Sequence, residues 1–128
     1  MISQWELRNA ATFENLRYKV ASWARDRNII KNSTPETQLL KAISEIGELC
    51  DSLIKNNEKD IKDAIGDVLV CLINFCEIKG LDIIGCLELA YDEIKDRRGT
   101  LLKNGCFVKE DDLEVNEDRS KFLTSEIS

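Results

Sequence analysis

Residues 39–79 read LLKAISEIGELCDSLIKNNEKDIKDAIGDVLVCLINFCEIK, and this stretch decides the fold. Apolar residues recur along it at helical spacing on both sides of a polar turn at 56–57. We therefore predict two consecutive helices. The first begins after Thr34, and the second runs over about 59–79 and ends at Gly80. The second helix is apolar almost all round, which is typical of a buried helix.

Both predicted helices carry polar residues that share one face. Glu45 and Glu48 stand three residues apart on the first helix. Asp63 and Asp67 are one turn apart on the second, and Asn74 falls on the same stripe. Because the residues around Asp67 and Asn74 are apolar, we expect these two to form a polar line that enters a core.

A buried cluster of carboxylates needs a cation. Burying one carboxylate without compensation costs several kcal/mol, and a neighbouring acid only raises its pKa. Clustered oxygens without histidine or thiolate suit Mg²⁺, or alternatively Mn²⁺. Magnesium held by carboxylates is usually shared with substrate phosphates, so the pattern indicates phosphate chemistry. The alternative is a solvated face, since Lys41 stands four residues before Glu45 and can pair with it.

The composition limits the classes of partner. The chain has 128 residues, a net charge of −6 and no histidine, so binding to nucleic acid or to an anionic membrane is disfavoured. No apolar run reaches the roughly 18–20 residues that span a bilayer. The number of cysteines is odd, and none forms a C-x-x-C pair, which favours free thiols in a reducing compartment. We expect a cytoplasmic protein.

Two further helices flank the central pair, over about 12–27 and from Asp82 to Gly99. Apolar stripes at helical spacing predict which residues of each helix are buried. In the first helix they are Phe13, Leu16, Val20, Trp23 and Ala24. In the helix after Thr34 they are Leu39, Ile43, Ile46, Cys50 and Leu53. In the last helix they are Ile83, Leu87, Ala90, Tyr91 and Ile94.

The pattern changes after the fourth helix. Residues 101–108 read LLKNGCFV and predict a small β-hairpin around an Asn-Gly turn. The segment that follows is rich in Glu, Asp, Lys and Ser. We therefore expect one helical domain over 1–110 and a flexible acidic tail over 111–128.

The two acidic motifs together resemble a known family. EIGE at 45–48 followed by IGDVL at 65–69 is similar to the MazG-like all-α nucleotide pyrophosphohydrolases, whose pattern is ExxE on one helix and ExxD on the next. STPETQLLKAISEIGEL at 33–49 and EIKDRRGTLLKNGCFVKE at 93–110 resemble the small phage-type members. The resemblance covers most of residues 18–110.

The resemblance implies a fold, a reaction and a ligand set. The fold is an all-α four-helix bundle that forms homodimers or homotetramers, and the reaction is hydrolysis of a nucleoside triphosphate to the monophosphate and pyrophosphate. Glu45 and Glu48 match the first acidic pair, and Asp67 matches the last acid. Ala64 stands where the family has glutamate, and Asp63, one residue earlier, is the candidate fourth ligand.

The expected roles follow from this match. Glu45 or Glu48 would be the general base, and the remaining acids would hold Mg²⁺. Lys95 and Arg98 would bind the outer phosphates, and Asn74 the sugar or a phosphate. Tyr91 or Trp23 would stack on the base, although core packing is the alternative for Trp23.

Two other classes are compatible with acids on facing helices. A carboxylate-bridged di-iron bundle normally supplies E-x-x-H histidines, and the absence of histidine argues against it. A helical oligomer that binds nucleotide or regulates without catalysis remains open, because Ala64 replaces a family acid.

Overall fold

The computed structural model describes residues 1, 3, 4 and 12–115. Within this part the chain forms six helices and one two-stranded hairpin, which confirms the all-α prediction. The elements are α1 (Phe13–Asp26), α2 (Ile29–Asn32), α3 (Pro35–Ile54), α4 (Glu58–Lys79), α5 (Ile83–Ile94), β1 (Gly99–Leu101), β2 (Phe107–Lys109) and α6 (Glu110–Val115). The predicted acidic tail begins within α6, and from residue 116 onward it lies outside the described residues.

The chain divides into two compact units, Met1–Cys86 and Leu87–Ser128. The first contains α1 to α4 and the start of α5, and the second contains the rest of α5, the hairpin and α6. None of the described helices is both long and apolar enough to cross a membrane.

Local hydrogen bonds explain where α3 and α4 begin and end. Thr34 Oγ1 accepts a hydrogen bond from the backbone N–H of Thr37 at 3.1 Å, and Pro35 occupies the first helical position. Asn57 caps α4 with its side-chain oxygen, and Gly80 ends that helix with φ +70°. The predicted caps at Thr34 and Gly80 are therefore confirmed.

The main packing of the first unit joins α3 to α4. The buried residues of α3 are small or polar, namely Gln38, Ala42 and Ser52. The predicted buried stripe of α3 is wrong, because Leu39, Ile43, Ile46, Cys50 and Leu53 are all exposed. These apolar residues lie on an adjacent face of the helix, which nothing in the described chain covers. We call this set the outer apolar face of α3.

The helix α1 packs on α4 through small residues. Ala21 and Ala24 are fully buried, and the absence of larger side chains lets the two helices approach closely. The larger apolar residues Phe13, Leu16 and Trp23 are exposed, so their predicted burial is wrong. The second half of α4 contains most of its buried residues, which are Cys71, Ile73, Asn74 and Cys76 in addition to Ala64.

In the second unit the hairpin forms as predicted. Thr100 pairs with Val108 in antiparallel register, and Asn104 Oδ1 accepts a hydrogen bond from the Cys106 N–H at 3.0 Å. Gly105, with φ +90°, completes the Asn-Gly turn. The predicted inward stripe of α5 is wrong at its later positions. Leu87, Ala90, Tyr91 and Ile94 are all exposed.

Candidate functional site

An acid-lined cleft of about 280 Å³ lies between α3 and α4. We call it the acidic cleft. Its lining residues are Glu48, Asp51, Ser52, Lys55, Asp60, Asp63, Ala64 and Asp67. The structure therefore brings three of the four predicted metal ligands, Glu48, Asp63 and Asp67, to one cleft. Their role as ligands stays a prediction.

The fourth predicted ligand, Glu45, interacts with two of these acids. A side-chain hydrogen bond with Glu48 raises the pKa of Glu45, and partial burial and the negative charges of Glu48 and Asp67 add to this rise. Lys41 opposes it with its positive charge. Glu45 Oε2 is buried and has no hydrogen-bond partner in the described chain. The site thus contains a carboxyl group that is disfavoured in its charged form.

The expected burial of Asp67 is wrong. Asp67 and Asp63 are exposed, and so is Glu48. Asn74 is 3% exposed, and its Oδ1 has no partner among the described residues. The polar line does enter the core, but only Asn74 on it is buried.

Cys71, Asp51 and Lys55 were not predicted as members of the site. Cys71 is buried, and burial raises the pKa of its thiol, with the charges of Glu45 and Asp67 adding to the effect. Asp51 and Lys55 line the acidic cleft. Their spacing of three and seven residues from Glu48 places them on the same helix face, and this signal was available in the sequence.

The expected base-stacking and phosphate-binding residues are not among the residues that line the acidic cleft. Trp23 is on α1, and the Arg27 guanidinium lies 4.6 Å from the centre of its ring, so one ring face is occupied. Tyr91, Lys95 and Arg98 belong to the second unit. Tyr91 is exposed, and the Lys95 ammonium pairs with Asp92 at 3.4 Å.

Arg98 lines a cleft of about 500 Å³ within the second unit. The other lining residues are Arg97, Gly99, Thr100, Phe107 and Glu110. Two guanidinium groups at one cleft are compatible with binding of an anion, which is the role expected of Arg98. The backbone carbonyl of Arg98 accepts a hydrogen bond from the Glu110 N–H at 2.9 Å, so the end of β2 is tied to this segment.

The donor set of the first unit fits an oxygen-preferring divalent cation. Its candidate ligands are carboxylates, one of which holds a buried oxygen without a donor. Within residues 12–115, however, no three acidic, cysteine or histidine side chains are already arranged to hold an ion. The carboxylates therefore share a cleft but do not converge on a single point.

Comparison with known proteins places this cleft in a family. A family model of the MazG nucleotide pyrophosphohydrolase domain matches residues 33–100, which include both acidic motifs. An uncharacterized 18.2 kDa protein of Haemophilus phage HP1 (strain HP1c1), from the rep-hol intergenic region, is 36% identical over 74 residues. That segment is 58% of this chain but 45% of the phage protein, so the match spans less than half of the relative. No solved structure matches the chain. Since the family model covers more than half of the chain and every residue of the acidic cleft, the chain belongs to the family of MazG nucleotide pyrophosphohydrolase domains.

Proposed function

We propose that the protein is a Mg²⁺-dependent pyrophosphohydrolase that converts a nucleoside or deoxynucleoside triphosphate and water into the monophosphate and pyrophosphate. Membership of the family supports nucleotide hydrolysis in general. The observation that carries the proposal for this chain is the state of Glu45. It has a raised pKa and a buried oxygen without a partner, and it interacts with Glu48 and Asp67.

A cation is required for electrostatic reasons. Five carboxylates and one ammonium group line the acidic cleft, so the cleft alone repels a polyphosphate. Glu45, Glu48, Asp63 and Asp67 would hold Mg²⁺. When bound, the ion would neutralise phosphate charge and lower the pKa of water. The exposed side chains of Asp63 and Asp67 can rotate toward the ion, which accommodates the lack of a preformed ligand set.

The same residues supply a base. The pKa of Glu45 is raised above the ordinary value of a glutamate, chiefly because Glu48 shares a hydrogen bond with it. A carboxylate with a raised pKa accepts a proton from water more readily than an ordinary one. We assign the base to Glu45 or its partner Glu48. Water attacks one phosphorus of the linkage between the α and β phosphates and gives its proton to the base. The bond between that phosphorus and the bridging oxygen breaks, and the monophosphate and pyrophosphate are released.

The remaining substrate contacts stay proposals. Asn74 has an amide oxygen without a hydrogen-bond partner in the described chain, and the substrate would have to extend from the acidic cleft to this buried side chain to bind it. Lys95 and Arg98 would bind phosphate oxygens, while Tyr91 or the free face of Trp23 would stack on the base. Contacts with the phosphates do not distinguish among nucleobases, so the proposal covers nucleoside triphosphates as a class.

We also propose that the protein works as a homodimer or homotetramer. The outer apolar face of α3 supports this, because Leu53 is 67% exposed and Ile43 65% exposed on a single helix. Adjacent exposed apolar residues on one face are typical of a surface that another chain covers.

The decisive assay is release of pyrophosphate from a panel of canonical and modified nucleotides, with Mg²⁺ and with EDTA. We expect Mg²⁺-dependent release from at least one nucleotide, and none from a Glu48→Gln variant that retains its helical circular dichroism. Wild-type protein that releases no pyrophosphate from any nucleotide, with either Mg²⁺ or Mn²⁺, would contradict the proposal.

A second candidate function is nucleotide binding without turnover. Ala64 favours it, because this lining residue of the acidic cleft cannot bind a metal where the family pattern has glutamate. Equilibrium binding of the same nucleotides distinguishes the two functions. Binding with no release of product would support the non-catalytic protein.

A further inference from the structure

The acidic cleft contains one positively charged lining residue, Lys55. Five carboxylates line the same cleft, yet the Lys55 ammonium forms no ion pair within the described residues. By contrast, the Lys62 ammonium pairs with Glu58 at 3.5 Å, although these two side chains are 74% and 83% exposed to solvent. The ammonium of Lys55 is therefore available to a ligand.

The backbone of Lys55 is held in place while its side chain is not. Its N–H donates to the carbonyl of Asp51 at 3.0 Å and closes the last turn of α3. The next residue, Asn56, has φ +55° and begins the turn into α4. A lysine at this position carries its charge on a flexible four-carbon stem from a fixed point beside the cleft.

We propose that Lys55 binds an oxygen of the polyphosphate chain of the substrate in the acidic cleft. This inference rests on the proposed function, and it adds a substrate-binding residue that the acidic motifs do not include. A compact ammonium is well suited to a phosphate oxygen, whose several lone pairs need no fixed donor geometry. The uncharged Ala64 also lines this cleft, so the lining holds one negative charge fewer than a glutamate there would give.

A purely electrostatic role for Lys55 makes different predictions. If the ammonium only screens the carboxylates, removing it leaves the affinity for polyphosphate unchanged at saturating Mg²⁺. Removing it also strengthens the binding of Mg²⁺, because the cleft becomes more negative. If it binds the substrate, its removal raises KM and weakens polyphosphate binding, while kcat changes less.

The test compares Lys55→Met with Lys55→Arg and with Lys62→Met, a matched loss of charge outside the cleft. Calorimetric titration with inorganic tripolyphosphate at saturating Mg²⁺ gives affinity, and steady-state kinetics with the best nucleotide gives KM and kcat. We expect Lys55→Met to weaken tripolyphosphate binding and to raise KM, each by roughly tenfold or more. A change of this size corresponds to the loss of one charge-assisted hydrogen bond. Lys55→Arg should restore part of the affinity, and Lys62→Met should match wild type.

Unchanged tripolyphosphate affinity in folded Lys55→Met would overturn the inference. If that variant fails to fold, Lys55→Gln takes its place in the same titration. If wild-type protein binds tripolyphosphate more tightly than Lys55→Met does but hydrolyses no nucleotide, the proposed reaction is contradicted and the proposed role of Lys55 is supported. If wild-type protein hydrolyses nucleotide and the Lys55→Met variant has the same KM and kcat, the proposed role of Lys55 is contradicted and the proposed reaction is not.

Discussion

The Arg17 guanidinium lies 3.1 Å from Glu77 Oε1, and this ion pair joins α1 to α4. Its side chains are only 20% and 13% exposed, and Arg25 also pairs with Glu77 from α1. One carboxylate of α4 thus pairs with two guanidinium groups of the helix that carries the fully buried Ala21 and Ala24, and Arg17 also pairs with Glu14 on that helix.

We therefore expect Glu77→Gln to lower the free energy of unfolding by about 1–3 kcal/mol, because it breaks the partly buried ion pair between α1 and α4 and leaves Arg17 only Glu14 on its own helix. Urea denaturation followed by circular dichroism measures the change. Glu58→Gln is the matched control, since it breaks the exposed pair with Lys62 and should cost about 0.5 kcal/mol or less. Equal effects of the two substitutions would show that Glu77 is not the link between the helices.

The second prediction concerns pH. The folded protein holds a proton on Glu45 more tightly than the unfolded chain does, because its pKa is raised in the fold. Stability from this group is therefore present at low pH, and it is lost as pH rises from the ordinary pKa of 4.5 through the raised value. We expect Glu45→Gln to remove this decline in the metal-free protein.

Lys41→Met provides the control for that experiment. The positive charge of Lys41 lowers the pKa of Glu45, so its removal should extend the decline in stability to higher pH. Urea denaturation at a series of pH values without metal gives both results. A Glu45→Gln variant with the same pH dependence as wild type would mean that Glu45 does not titrate in this way.

The positions of the helices were predictable because local interactions determine them. Thr34, Pro35 and Gly80 act through hydrogen bonds and backbone angles within a few residues, and the hairpin depends on Asn104 and Gly105 in the same way. Glu45 and Glu48 were predictable as a pair because helical spacing alone places them on one face.

The burial of individual residues was not predictable from the same patterns. Ile43 and Leu53 are apolar, but hydrophobicity does not tell whether the same chain or another copy covers a face. Asp67 was expected to be buried from its apolar neighbours in sequence, yet exposure depends on whether a third helix lies beside it. The pairing of Arg17 with Glu77 joins residues sixty positions apart, and no local pattern indicates it.

The third prediction concerns magnesium. A cation that binds the acidic cleft stabilises only the folded state, so Mg²⁺ should raise the melting temperature of wild-type protein. Glu48→Gln and Asp67→Asn should abolish turnover and reduce that rise. Both should melt above wild type without metal, because each removes a charge that repels its neighbours. Differential scanning fluorimetry with Mg²⁺ and with EDTA measures this, and lower metal-free melting of both variants would contradict it.

The fourth prediction concerns assembly through the outer apolar face of α3. Ile43→Lys should convert the protein to a monomer without unfolding it, because Ile43 is 65% exposed in the single chain. Ser44→Lys is the control, since it adds the same charge at a neighbouring exposed position outside that face. Light scattering at micromolar concentration gives the mass. Monomeric wild-type protein, or an Ile43→Lys variant that still assembles, would contradict the proposed interface.

The last prediction concerns Asp63, which stands one residue before the position at which the family pattern has glutamate. Asp63 is exposed and lines the acidic cleft together with Asp67, one helical turn further on. Ala64, in contrast, is buried and carries no ligand atom. If Asp63 is the replacement ligand, Asp63→Ala should lower activity roughly tenfold or more and weaken the dependence on Mg²⁺.

Asp60→Ala is the matched control for this test, since Asp60 lines the same cleft but is not a proposed ligand. Ala64→Glu in the Asp63→Ala background should recover activity, because it restores the family's carboxylate at its usual position. The buried position of Ala64 means that the longer side chain must extend toward the cleft, so folding of this variant is checked by circular dichroism. An Asp63→Ala variant with the rate and Mg²⁺ dependence of wild type would leave Glu45, Glu48 and Asp67 as the whole ligand set.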